Sequence, residues 1–196
     1  YIIVVSKSTL YHSFRELMKY SHVVIIARVI SKEAVINSSR NTFDHSKPSD
    51  DLFAVGQVFK VEVEQYLKGN GAKEILIVQV QGLISAEQFE GEHPSDTMIE
   101  QAIAQNEGKE YIPPTIQVRY LMFLHAPIEK GYMIDGYPVE LLYNTALNPW
   151  LFEITENNLV TLVSEVAELN KFFPAQLLDD VILQLDQTLE STPAYP

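Results

Sequence analysis

The feature that most constrains the fold is a strict alternation of apolar and charged side chains near the middle of the chain. Phe59, Val61 and Val63 share one face of an extended chain, whereas every residue between them is charged. Successive side chains of a strand point to opposite faces, so this pattern predicts a strand with one buried and one solvated face. The turn-forming sequence Lys68-Gly69-Asn70-Gly71 follows, and a second apolar run then returns. We therefore predict a β-hairpin over 53–81.

Further strands are predicted where apolar or β-branched residues lie between turn signals, at 22–30, 117–125, 132–143, 150–154 and 159–163. The first of these is rich enough in valine and isoleucine to be buried on both faces at its start. Gly136 and Pro138 predict a bulge or bend within 132–143. The polar, turn-rich segment 36–52 is predicted to be a long loop.

Three helices are predicted from capping and periodicity. The capping-box patterns Ser13–Glu16 and Thr97–Glu100 precede apolar residues at helical spacing and predict helices over about 14–20 and 98–106. An apolar stripe near the C-terminus, with acidic residues mostly opposite, predicts a third helix over about 175–190.

This order of elements predicts a mostly β fold with appended helices. We expect an OB-like five-stranded Greek-key barrel with an extra hairpin, an N-terminal short helix, a helix in the insertion between strands 3 and 4, and a C-terminal helix. The 196 residues are predicted to form a single domain, with the barrel at about 22–163 and a helical tail at 164–196.

The composition excludes several kinds of site. The chain has no cysteine, which removes disulfides, thiol nucleophiles and Cys-based zinc sites. Its net charge of −12 disfavours nucleic acid as a partner, because an acidic body repels phosphate. No run approaches 18 apolar residues, so no membrane span is predicted. No nucleotide, hydrolase or metal motif stands out, and we predict no cofactor, no metal site and no catalytic residue.

Two surfaces are candidates for binding a partner or ligand. The 36–52 loop is long for a link between paired strands, and its candidate contact residues are Arg40, Phe43, Asp44 and His45. Simple disorder is the alternative reading of its polar composition. The second candidate is an aromatic surface that would suit a sugar or small ligand, although core packing explains the same residues: Tyr132, Tyr137, Tyr143 and Trp150.

Three segments resemble a loosely defined set of exported bacterial proteins. Residues 13–29 are similar to the segment that opens their barrel, with His22 where the set usually has Asp. Residues 59–69 and 114–124 are similar to two of its strands, with Val118 in place of a Gly. The barrel type resembles the OB-like domain of tissue inhibitors of metalloproteinases and netrin-like modules. Those inhibitors cap zinc with an N-terminal Cys, which this chain lacks, so the resemblance transfers a fold and no functional residue.

Together these observations predict an extracytoplasmic protein-interaction or binding module without enzymatic activity. Two alternatives stay open. One is a small-ligand or carbohydrate binder that uses the aromatic residues of 132–152, and the other is a hydrolase whose catalytic residues are distant in sequence. The partner is predicted to be a protein or a small ligand.

The mature protein is expected to be secreted or held in the cell envelope. The expectation rests on the resemblance, on the absence of cysteine and on a first residue, Tyr1, that is not Met. The measurement is the gene sequence upstream of Tyr1, where we expect a signal peptide or a lipid-anchor signal. A Met directly before Tyr1, with no such signal, would refute export.

Overall fold

A computed structural model describes residues 10–89, 93–106, 112–145, 147, 149–164 and 168–191. Strands dominate this part of the chain, which confirms the mostly β prediction, and its helices have 7, 11 and 14 residues. The helices and strands, in chain order, are α1 (Phe14–Tyr20), β1 (Val23–Asn37), β2 (Leu52–Lys68), β3 (Glu74–Ser85), α2 (Asp96–Asn106), β4 (Arg119–Leu124), β5 (Met133–Ile134), β6 (Tyr137–Pro138), β7 (Leu142–Asn144), β8 (Leu151–Ile154), β9 (Leu159–Leu162), β10 (Gln176–Leu177) and α3 (Leu178–Ser191).

The strands form one large mixed sheet rather than a closed barrel. Its eight strands lie in the order β10-β9-β8-β4-β1-β2-β3-β7, and β5 and β6 form a separate two-stranded ribbon. All neighbours are antiparallel except β3 and β7. The predicted five-stranded barrel is therefore not confirmed. One isolated bridge links the end of β4 to β7, through two backbone hydrogen bonds of 3.0 and 3.1 Å between His125 and Asn144.

The central hairpin is confirmed. Strands β2 and β3 pair along their length, with Phe59 opposite Ile77. The alternation of buried and solvated faces holds over 59–64, whereas 53–58 is buried on both faces. Strand β1 is also buried on both faces at its start, as predicted. It continues to Asn37 because Ile36 packs in a buried cluster with Val58, so the β1–β2 loop comprises only 38–51.

The prediction of a single strand over 132–143 is wrong. Asp135 and Gly136 have φ angles of +46° and +90°, and together they form a tight turn between β5 and β6. A two-residue turn with both φ angles positive matches the right-handed twist of two paired strands. The chain then makes one turn of 3₁₀ helix before β7.

The three predicted helices are present with adjusted ends. In α1 the Ser13 hydroxyl accepts a hydrogen bond from the amide of Glu16, as the capping pattern predicts. Helix α2 begins two residues early, because Ser95 rather than Thr97 caps it. Helix α3 begins at Leu178, later than predicted, because the two preceding residues form β10. None of the described helices combines the length and the apolar character required to cross a bilayer.

The largest buried cluster lies where α1 and α3 cover the sheet. Four aromatic rings meet there, with centroid separations from 5.0 to 6.1 Å, and they come from Phe14, Phe123, Phe152 and Phe173. Such spacing is typical of stabilising aromatic contacts. A second cluster packs α2 against β2 and β3, around Phe53 and Ala102.

We predict that Gly82→Ala destabilises the contact between β3 and α2. A methyl group at Gly82 would lie 2.8 Å from the carbonyl oxygen of Ala102, so the helix must shift. Such overpacking typically costs about 1–3 kcal/mol in the free energy of unfolding, measured by urea denaturation. The matched control is Leu83→Thr, at the neighbouring, exposed position, with an expected change within about 0.5 kcal/mol. Equal stability of the two variants would contradict the prediction.

Candidate functional site

Two segments that are distant in sequence meet at one surface. The β1–β2 loop (38–51) contacts the β4–β5 loop (125–132) through His45, whose Nδ1 lies 2.5 Å from a carboxylate oxygen of Glu129. The other oxygen of this carboxylate accepts a hydrogen bond from the hydroxyl of Tyr132. Both candidate binding segments of the sequence therefore converge on Glu129. Sequence analysis missed Glu129, because nothing in its local pattern marks it as a link between loops.

A second set of polar contacts anchors the base of the β1–β2 loop. The carboxylate of Asp135 accepts a hydrogen bond of 2.7 Å from the backbone amide of Asn37. The side-chain oxygen of Asn37 accepts from the amides of Ser39 and Ala54, each at 3.0 Å. The guanidinium of Arg40 donates to the carbonyl of Asn37, and this residue is only 7% exposed. These bonds hold the first residues of the loop against the end of β1.

The electrostatics favour a structural link over an acid–base centre. Burial, and secondarily the Glu129 carboxylate, raises the pKa of Tyr132 to about 12. This phenol therefore stays protonated at neutral pH. The hydrogen bond from Tyr132 is the main cause that lowers the pKa of Glu129, and His45 adds to the effect. Burial lowers the pKa of Arg40, against the opposing influence of Asp135 and Tyr132. The carboxylate of Glu129 is thus an ionised acceptor shared by two donors.

The tip of the β1–β2 loop has its own hydrogen bonds. The side-chain oxygen of Asn41 accepts from the amides of Phe43 and Asp44, at 2.9 and 3.2 Å. Asp44 in turn accepts from the Ser46 hydroxyl at 2.6 Å and lies 3.2 Å from the ammonium of Lys47. The Ser46 hydrogen bond is the main cause that lowers the pKa of Asp44. This pattern favours a defined loop over the disordered alternative.

Apolar side chains on the two loops and at the start of β5 are exposed. Phe43 is 98% exposed, Ile128 is 79% exposed and Met133, at the start of β5, is 54% exposed. We call these three residues the paired-loop surface. Of the four loop residues expected to contact a partner, Phe43 alone is fully exposed, whereas Asp44 and His45 are half-buried and Arg40 is buried.

The four predicted aromatic residues do not form one exposed face. Tyr132 and Tyr137 are half-buried against the cluster that contains Ile36. Tyr143 packs against the main core, and Trp150 is a buried member of it. Their apolar surface is used mainly in packing, so the arrangement gives no support to a platform for sugars.

A separate pair of histidines lies where β4 ends and β1 begins. The ring of His125 stands edge-to-face to that of His22, with 4.7 Å between their centroids. Burial, and secondarily His22, lowers the pKa of His125. Within the described residues no three or more His, Asp or Glu side chains gather as a metal-binding group.

Known proteins provide no direct guide to the function. No family model matches the chain, and no curated protein is significantly similar to it in sequence. The function is therefore inferred from the residues and contacts of this chain.

We predict that Glu129→Ala loosens the β1–β2 loop without unfolding the protein. The change removes the acceptor of both His45 and Tyr132, and a hydrogen bond to a charged group that is partly exposed contributes on the order of 1 kcal/mol. Backbone amides of 41–47 should then exchange with deuterium about fivefold faster. The control is Lys130→Ala, an exposed neighbour for which we expect unchanged exchange. Identical exchange rates in 41–47 for both variants would contradict the link.

Proposed function

We propose that the protein is a non-enzymatic interaction module that binds a basic, aliphatic segment of a partner protein on the paired-loop surface. The observation that carries the proposal is Phe43, a large apolar side chain that is 98% exposed on a loop tied down on both sides. Arg40 and Asn37 hold the loop at its base, and His45 holds it beyond the tip.

Preorganisation supports this role for Phe43. A flexible loop loses conformational entropy when it binds, and this loss reduces the affinity. The side-chain oxygen of Asn41 accepts hydrogen bonds from the amides of Phe43 and Asp44. These bonds order the loop before a partner binds, so less conformational entropy is lost on binding. Ile128 adjoins Glu129, and Phe43 lies two residues before His45, so the contact between His45 and Glu129 brings the two loops together close in sequence to both exposed side chains. Apolar anchors inside a polar rim are typical of binding surfaces.

The surrounding charge favours a basic partner. The β1–β2 loop (38–51) and the segment 125–140 together carry six carboxylates, two ammonium groups and the guanidinium of Arg40, a net charge of −3 with histidine neutral. The whole chain is also acidic, at −12. Opposite charge on a partner speeds its encounter with the surface, and like charge repels wrong partners.

The order of the central strands supports an OB-like arrangement as part of the proposal. Strands β4, β1, β2, β3 and β7 are consecutive neighbours in the sheet. The His125–Asn144 bridge brings the two ends of this group into contact. In an OB-fold the loop between the first two strands is a usual binding rim. In the proposed OB-like arrangement the β1–β2 loop corresponds to that rim.

The alternatives have less support in the described residues. A hydrolase requires a nucleophile or an activated water beside its acid–base groups, whereas Glu129 is engaged by two donors of its own chain. A sugar-binding surface requires exposed aromatic rings on one face, and the aromatic residues of 132–152 are partly or fully buried.

The test uses a library of short synthetic peptides in which leucine alternates with lysine or with glutamate. We expect the lysine peptides to bind and the glutamate peptides not to bind, in fluorescence anisotropy at low salt. Binding should weaken as salt is added, because opposite charges are then screened. The paired change Phe43→Ala with Ile128→Ala should weaken binding of the lysine peptides by about tenfold or more.

The matched control is Leu183→Ala, which removes an exposed leucine from α3, outside the paired-loop surface. Its binding should equal that of the unaltered protein. Binding of glutamate and lysine peptides alike, or equal binding by the paired variant and the control, would contradict the proposal. Thermal unfolding of each variant verifies that a loss of binding does not come from loss of the fold.

A further inference from the structure

His22 and His125 form a pair of imidazoles that the proposed interaction surface does not use. His22 directly precedes β1, and its backbone amide donates to the carbonyl of Leu124 at 2.9 Å. His125 directly follows β4 and exchanges two backbone hydrogen bonds with Asn144 in β7. Three strands therefore fix the backbones of the pair, although 103 positions separate the two residues in sequence (125 less 22).

The spacing of the rings fits two ligands on one metal ion. A zinc–nitrogen bond of about 2.0–2.1 Å places the ion about 3.2 Å from the centroid of a coordinating imidazole. When two rings bind one ion with a nitrogen–metal–nitrogen angle between about 90° and the tetrahedral value, their centroids are about 4.5–5.2 Å apart. The observed separation between His22 and His125 is 4.7 Å. The rings now stand edge-to-face at 82°, so one of them must rotate about its Cβ–Cγ bond to direct a nitrogen at a shared ion, and His22 is the more exposed of the two.

A positive charge lies close to the chain just before His22. The ammonium of Lys68 donates hydrogen bonds to the carbonyls of Met18 and of Ser21, the residue before His22, at 2.6 Å each. Those two carbonyl dipoles offset part of its charge.

We propose that His22 and His125 bind one divalent transition-metal ion of the imidazole-preferring class, such as Zn²⁺ or Ni²⁺. The protein supplies two ligands, and water or a ligand from another molecule occupies the remaining coordination positions. The half-exposed position at the ends of two strands gives an ion direct access from solvent. Neither histidine belongs to the paired-loop surface, although His125 lies in the same β4–β5 loop as Ile128.

The experiment is calorimetric titration of Zn²⁺ into full-length, tag-free protein that has been treated with a chelator, at neutral pH. We expect one ion per chain and a higher melting temperature with Zn²⁺, because the folded state alone holds the two imidazoles together. His22→Ala should weaken binding by about tenfold or more, since it removes one of two protein ligands. Mg²⁺, which prefers oxygen ligands, should not bind at this site.

His12→Ala is the matched control, because His12 is an exposed histidine that contacts the ring of Phe172, outside the pair. This variant should bind Zn²⁺ as the unaltered protein does. His125→Ala should lose binding as well, and His22→Ala keeps the test valid if the change at the more buried His125 impairs folding. Absence of Zn²⁺ binding to the unaltered protein, or unchanged binding in His22→Ala, would overturn the proposal.

Discussion

The structure depends on the pairing of β1 with a strand on each side. Strand β1 has 15 residues, and it pairs with β2 over most of its length and with β4 over its first half. Four register shifts interrupt the β1–β2 ladder. Each such irregularity increases the local twist and bends the strand. We infer that this curvature brings β7 close enough to the end of β4 for the His125–Asn144 bridge to form.

The polar contacts at the end of β1 determine where the apolar loop residues lie. A buried guanidinium is costly unless it is paired, and Arg40 has the carbonyl of Asn37 and the nearby charge of Asp135 as partners. Asp135 itself sits at a tight turn that places its carboxylate against the amide of Asn37. A few polar groups thus couple the β5–β6 turn to the base of the β1–β2 loop, which carries Phe43.

Local patterns in the sequence predicted the elements well and their connections less well. The alternation around Phe59 correctly predicted the hairpin. A strand with one solvated face can be recognised from its own sequence, because the alternation of apolar and charged residues is local. The Ser13 cap likewise predicted α1. The prediction for 132–143 was wrong because Gly136 was interpreted as a bend within one strand. In the structure the positive φ angles of Asp135 and Gly136 together reverse the chain direction. The predicted five-stranded barrel is not confirmed, and hydropathy does not show which strands become neighbours across the sheet.

The sequence by itself determined the strand and helix content, the acidic charge, the absence of cysteine and the presence of a long polar loop carrying Phe43. These properties follow from residue chemistry and from periodicities of two and 3.6, which are local along the chain. The tertiary structure decided that Arg40 is buried, that Glu129 joins His45 to Tyr132, and that His22 meets His125. The contacts between His45 and Glu129 and between His22 and His125 join segments that are distant in sequence. Such a contact arises only when long-range strand pairing brings distant segments together, so no pattern of neighbouring residues encodes it.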